Sequence, residues 1–278
     1  MDKAKLILVF CASAVLCSCS RGFEITWEKF TVDGHRTGVT AVRGSDIASA
    51  LGTIDSLGYH SPSGKTFDPC SSTAQVASAL ISLQPRLAYL KEIVGESEVY
   101  MAFARPECAL GNWAADMLRT EVAKFTGKRI DVAILNLGGI RVSMPDGPVL
   151  KDDIYSMFPF RNYLCSVTIR GVDLKNIFAQ MAANRFDAIS GARIVCSDGK
   201  LVSAEVGGVP VDDRKLYNVA TIDFLLDGGD GYRIAKNAVA MNTTGILLKE
   251  AAFDYIDGLT QRGEKISGAV DGRITLIK

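Results

Sequence analysis

Residues 192–206 read ARIVCSDGKLVSAEV, and this stretch decides the fold class. Two short runs, Ala192–Ser197 and Leu201–Val206, flank Asp198-Gly199, a dipeptide that adopts the positive-φ turn of a β-hairpin at little cost. Immediately upstream, Leu174, Ile177, Phe178 and Met181 repeat at helical spacing. Before them Tyr163, Cys165, Val167 and Ile169 alternate along a strand over Tyr163–Arg170. Further back, Asp131–Leu135 is a short apolar strand. It follows a helix marked by Leu110, Trp113, Ala114, Met117, Leu118, Val122 and Phe125, with Gly127 as its stop. Downstream the pattern predicts a strand over Tyr217–Ile222, a helix over Ile246–Ile256 and a last strand over Arg273–Ile277. A hairpin set into alternating helices and strands favours an α+β domain, a mixed β-sheet with packed helices, over a pure βαβ winding.

This domain is assigned to residues 91–278. Residues 19–90 form an N-terminal extension and lead-in helix, with turn-like Gly, Ser, Thr and Asp patches. A short helix is expected over Ser45–Leu51, and a longer one over Ser72–Leu90 with Val76, Leu80, Leu83 and Leu87 on one face. Residues 1–18 read as a removable signal: Lys3 and Lys5 precede an apolar stretch, Leu6–Leu16, too short to span the roughly 20 residues of a bilayer core. It ends in Leu16-Cys17-Ser18-Cys19, which resembles a bacterial lipobox with Cys19 as the lipidated residue. The expected location is therefore the periplasm of a Gram-negative bacterium, with the membrane reached through a lipid anchor.

The chain carries 31 basic and 31 acidic residues, and loss of the signal leaves 29 and 30. That balance gives no support to nucleic-acid binding, which usually shows a basic stripe. An anionic ligand must be held by local groups. Four cysteines remain beyond Cys19: Cys70, Cys108, Cys165 and Cys196. No Cys-x-x-Cys pair occurs among them, which argues against a zinc knuckle, and free, buried thiols are expected in a domain with ample core, with a bridge left open.

Three segments do not read as ordinary core. Asn136-Leu-Gly-Gly-Ile-Arg141 follows a strand, and its paired glycines let the backbone approach a ligand while Arg141 offers a planar fork for phosphate. Phe158-Pro-Phe160-Arg-Asn162 sets an aromatic and an amide just before a strand. Phe224-Leu-Leu-Asp-Gly-Gly-Asp230-Gly-Tyr232 is a sharply shaped loop, and it lacks the spaced oxygens and closing glutamate of a calcium loop.

With Arg105-Pro-Glu-Cys-Ala-Leu-Gly-Asn112 and Ser190-Gly191, these segments occur in the order and spacing of a known domain. From about residue 98 onward the chain resembles the C-terminal, substrate-binding domain of the 5′-nucleotidase family. The resemblance implies roles. Arg105 and Arg141 match arginines that contact the substrate phosphate. Phe160 and Phe224 match the pair that sandwiches the base, and Asp230 matches the acceptor of the ribose hydroxyls. Asn136 and Asn162 match positions touching base or nearby substrate, and the match does not choose between them.

In that family hydrolysis belongs to a separate N-terminal metallophosphatase domain with two metal ions held by Asp-x-His and Gly-Asn-His motifs. This chain has two histidines, His35 and His60, in neither motif, and residues 19–90 leave no room for such a domain. No catalytic residue and no metal ligand is assigned here. The expectation is a nucleotide- or nucleoside-binding half whose divalent metals sit in a separately encoded metallophosphatase subunit. A non-catalytic periplasmic nucleoside- or nucleotide-binding lipoprotein is the second reading, and an independent hydrolase the third.

Overall fold

The computed structural model describes residues 36–277, so the signal segment, Cys19 and His35 lie outside the described residues. The chain divides into two compact units, one reaching Val42 and resuming over Ala48–Ser78, the other made of Arg43–Ile47 and Ala79 onward. Among the described residues no helix is long and apolar enough to cross a membrane.

A short helix, α1 (Ile47–Leu51), leads into the first unit's antiparallel sheet of β1 (Thr53–Asp55), β2 (Gly58–His60) and β3 (Thr66–Phe67). Its centre is Tyr59, which is fully buried, stacks on Phe67 at 5.8 Å and donates its hydroxyl to the Leu51 carbonyl at 2.7 Å. The next helix, α2 (Ser72–Leu83), stops short of the expected Leu90 and gives way to a 3-10 turn over Gln84–Lys91. Pro85 explains the change, since it lacks an N–H and disfavours the α conformation of the residue before it. Helix α2 buries Ala74 and Ala77 and leaves Val76, Leu80 and Leu83 exposed.

The second unit holds the mixed sheets. Strand β4 (Ile93–Ser97) pairs antiparallel with β6 (Gly147–Leu150). Between them run α3 (Ala109–Thr126) and β5 (Val132–Leu135). The helix follows most of the sequence pattern: Leu110, Trp113, Ala114, Met117, Leu118 and Val122 are all buried, Phe125 in the last turn is exposed, and Gly127 ends it in the left-handed region at φ 63°. The Cys108 sulfur caps the other end, accepting from the Gly111 N–H at 3.3 Å.

After α4 (Lys151–Met157) come β7 (Tyr163–Arg170) and α5 (Gly171–Ala183). Next are β8 (Ala188–Ser190), β9 (Ala192–Ser197), β10 (Lys200–Val206), β11 (Val209–Pro210) and β12 (Leu216–Ile222). The predicted hairpin is β9–β10, turning through Asp198 (φ 48°) and Gly199 (φ 72°). A strand absent from the sequence reading, β13 (Ala240–Leu247), takes the start of the helix expected from Ile246. The helix, α6, runs from Leu248 to Gln261, and β14 (Ile274–Leu276) closes the chain.

The main sheet has the order β13-β7-β12-β5-β8, with β12 and β5 parallel and the other neighbours antiparallel. A second sheet, β11-β10-β9-β14, joins β9 to β14 in parallel. The fold is α+β with mixed sheets, as the sequence implies. Strand β5 is buried at every position, as expected of a central strand covered on both faces.

All four described cysteines are free. Cys108, Cys165 and Cys196 are buried, whereas Cys70 is exposed, against expectation. Burial pushes the Cys165 and Cys196 thiols up, which keeps them protonated and unreactive.

Candidate functional site

Strand direction gathers the three segments. Strands β5 and β12 run parallel, so Asn136 after β5 and Asp223-Phe224 after β12 emerge from the same end of the sheet. Strands β7 and β8 run antiparallel to these neighbours, so their beginnings lie at that end too. They are preceded by Phe160–Asn162 and by Arg185–Asp187. Loops at the carboxyl ends of parallel strands are where such sheets hold ligands.

The Asn136 side chain is buried. Its amide nitrogen donates to Asp230 Oδ2 at 2.8 Å. Since only the NH2 can face a carboxylate, the amide orientation is fixed, and its Oδ1 is left buried with no hydrogen-bond partner. Asp230 sits at φ 49°, a left-handed conformation that aspartate tolerates, between Gly229 and Gly231. Its carboxylate also pairs with Arg185 at 3.2 Å. A methyl group on Gly229 would lie 1.9 Å from the Phe224 carbonyl oxygen, so the loop from Phe224 to Asp230 closes only with glycine there.

Phe160 and Phe224 are 48% and 45% exposed, so both rings offer free surface in adjacent loops. Asp223 ties the loops together, its Oδ1 accepting from the N–H groups of Tyr163 at 3.0 Å and Phe224 at 2.9 Å. Asn162 is half-buried, and its carbonyl accepts from the Leu248 N–H at 2.9 Å.

The two arginines differ. Arg141 is exposed and reaches the Gly138 carbonyl at 3.1 Å, which leaves the rest of its guanidinium fork facing outward. Arg105 donates to the Phe186 carbonyl at 2.8 Å, lies 4.7 Å from the Phe103 ring centroid and stands 3.6 Å from Asp187 Oδ1. Asp187 is a residue that sequence reasoning missed. Although fully buried, it is satisfied, accepting from the Leu137 N–H at 2.9 Å and the Tyr232 hydroxyl at 3.0 Å. Burial, and then the carboxylate beside it, pushes the Tyr232 hydroxyl far up, so it stays a donor throughout the accessible pH range. Asp187 thus joins the Arg105, Asn136–Arg141 and Tyr232 segments from within. No spacing rule marks it, and only its place just before a short buried strand could have signalled it.

A cavity of 640 Å3 opens beside Asp230, lined also by Gln180, Asn184, Arg185, Asp187 and Tyr232. Within the Arg105–Asn112 marker, Glu107 and Asn112 play a different part. Asn112 donates to Glu107 at 2.7 Å and to the Ala269 carbonyl at 2.8 Å, while Glu107 accepts from the N–H groups of Asp271 and Ile274, fixing the C-terminal segment. Among the described residues no three His, Cys, Asp or Glu side chains group as a metal site.

The profile of the family described as "5'-nucleotidase, C-terminal domain" matches residues 93–237, just over half of the chain. The chain belongs to the 5′-nucleotidase C-terminal domain family. Among curated relatives it is 31% identical over 131 residues to Protein UshA of Escherichia coli, covering 45% of this chain and 24% of that protein. It is 26% identical over 216 residues to an apyrase of Tabanus yao, covering 67% of this chain and 38% of the apyrase. A solved 5′-nucleotidase precursor of Thermus thermophilus superposes with a TM-score of 0.65 at 26% identity, over 78% of this chain and 45% of that one. This 5′-nucleotidase C-terminal chain therefore matches less than half the length of each of these relatives.

Proposed function

We propose that this chain is the nucleotide- or nucleoside-binding half of a periplasmic 5′-nucleotidase-type phosphohydrolase, acting in nucleotide catabolism with a separately encoded metallophosphatase subunit that holds the divalent metals. The observation that carries the reading is the buried, unpartnered Oδ1 of Asn136, set beside Asp230 and next to the loop that exposes Phe224. An orphaned buried acceptor costs on the order of 1–3 kcal/mol, and a ligand N–H or O–H delivered there recovers it.

In this reading Phe160 and Phe224 take the base between their rings, and Asp230 accepts from the ribose hydroxyls while Asn136 steadies its carboxylate. Arg141 and Arg105 hold the phosphate oxygens through paired, charge-assisted hydrogen bonds. Asn162 lies close enough along its loop to Phe160 to share in recognition. These residues bind and orient the substrate, and the water-activating chemistry comes from the metallophosphatase. The family membership, at identities of 26–31% to a nucleotidase, an apyrase and UshA, supports the ligand class. Lipid anchoring through Cys19 would hold the protein at the membrane face of the same compartment.

The test is calorimetric titration of the full chain with adenosine, and with ribose alone as a control. The proposal expects saturable adenosine binding that is lost when Asp230 is changed to Ala. An Asp230→Ala variant that binds adenosine like the parent would remove the site from these residues.

A further inference from the structure

We propose that the opposite end of the main sheet carries a second site, for a small tetrahedral oxyanion of the phosphate class. The Ser190-Gly191 pair plays no part in the site above. Strand β8 begins at Ala188 opposite Leu135 and ends at Ser190 opposite Ala133, so Ser190 faces away from the loop cluster that contains Asp187. There it lines a separate cavity of 230 Å3, against roughly 30 Å3 for one liquid water, together with Arg119 and Arg193.

Three features make this a built site. The Ser190 hydroxyl, on a residue of the cavity wall, is buried and has no hydrogen-bond partner. Arg119 is pinned by its Nε, which donates to the Ile130 carbonyl at 3.1 Å, so its terminal nitrogens are presented from a fixed stem. Gly191, at φ 75°, makes that placement feasible: a methyl group there would lie 2.1 Å from the Asp131 carbonyl oxygen and 3.2 Å from the Arg119 guanidinium. Arg193 supplies the second guanidinium, with one nitrogen on the Asp271 carbonyl at 2.8 Å.

Two carboxylates line the same cavity and do not cancel this charge. Asp116 and Asp271 are both engaged by Arg273, which contacts Asp116 at 2.9 and 3.1 Å and Asp271 at 2.7 and 3.0 Å. Three arginines against two aspartates leave the cavity with a net positive charge. Arginine forks with a hydroxyl donor suit an oxyanion with several acceptor oxygens.

The test titrates the full-length chain calorimetrically with inorganic phosphate and, separately, with methyl phosphate. Arg141→Ala removes the outward arginine of the first site and leaves the second intact. The proposal expects a phosphate-binding component that survives Arg141→Ala. That component should weaken at least about tenfold in Arg119→Gln/Arg193→Gln and severalfold in Ser190→Ala. Arg193→Gln alone, at an exposed position, keeps the test valid should the double variant fail to fold. Binding of both probes assigns the headgroup of a monoester, and binding of inorganic phosphate alone assigns the free ion. Phosphate binding that vanishes with Arg141→Ala, or that is untouched by Arg193→Gln and Ser190→Ala, overturns the proposal.

Discussion

The side-chain amide of Asn136 donates to the Asp230 carboxylate at 2.8 Å, joining two loops that lie 94 residues apart in the chain. This bond sets the orientation of the Asp230 carboxylate and leaves Oδ1 of Asn136 buried without a partner. Asn136→Ala should weaken adenosine binding about tenfold or more by calorimetry. Asn136→Asp places two carboxylates together, and like charges favour protonation of one of them. Its deficit should therefore be larger at pH 7 than at pH 5.

Phe224 is nearly half exposed, and its loop is held closed by Gly229. Base stacking is worth about 1–3 kcal/mol, roughly 5- to 150-fold in affinity. Phe224→Ala should lose that much adenosine affinity and Phe224→Trp should keep it. Phe224→Ala binding as tightly as the parent would refute the stacking assignment.

Arg141 has no carboxylate partner among the described residues and only the Gly138 carbonyl within reach, so its charge is available to a ligand. Arg141→Ala should lower AMP affinity while leaving adenosine affinity nearly unchanged. Arg105→Ala should do more, because Arg105 also braces the Phe186 carbonyl and stands against buried Asp187. A fall in melting temperature should accompany its weaker AMP binding.

Glu121 on α3 is buried beside Lys124, and burial pushes its carboxyl above the usual 4.5. In the folded chain it holds its proton to higher pH than in the unfolded chain. Stability is thus lost as pH rises through that window, and at neutral pH the buried charge opposes folding. Glu121→Gln should melt at a higher temperature than the parent at pH 7, with the gap closing as pH falls below about 4.5. An equal gap at both pH values would contradict this.

Much of the fold was legible because its strongest elements obey simple rules. The apolar repeat from Leu110 to Val122 and the Asp198-Gly199 turn each specify one local structure. The misses have physical causes. Strand β13 is mostly exposed and lacks an alternating apolar face, and the short β8 is too brief to carry a period. On α2, regular apolar spacing suggested a helix to Leu90, where Pro85 turns the chain into a 3-10 stretch after Leu83. The proposed ligand contacts Asn136, Phe160, Phe224 and Asp230 stand out as sequence motifs. Asp187, Arg185 and Asp223 do not, since each acts through a partner supplied by another loop.

In the proposed function this chain binds nucleotide and a metallophosphatase partner cleaves it. The most direct measurement is AMP titration of the purified full-length chain, with phosphate release assayed in the same samples after adding manganese. The account predicts saturable AMP binding and no release until a metallophosphatase is supplied. Release by the pure chain, abolished by a chelator, would contradict it and place a metal site among these residues.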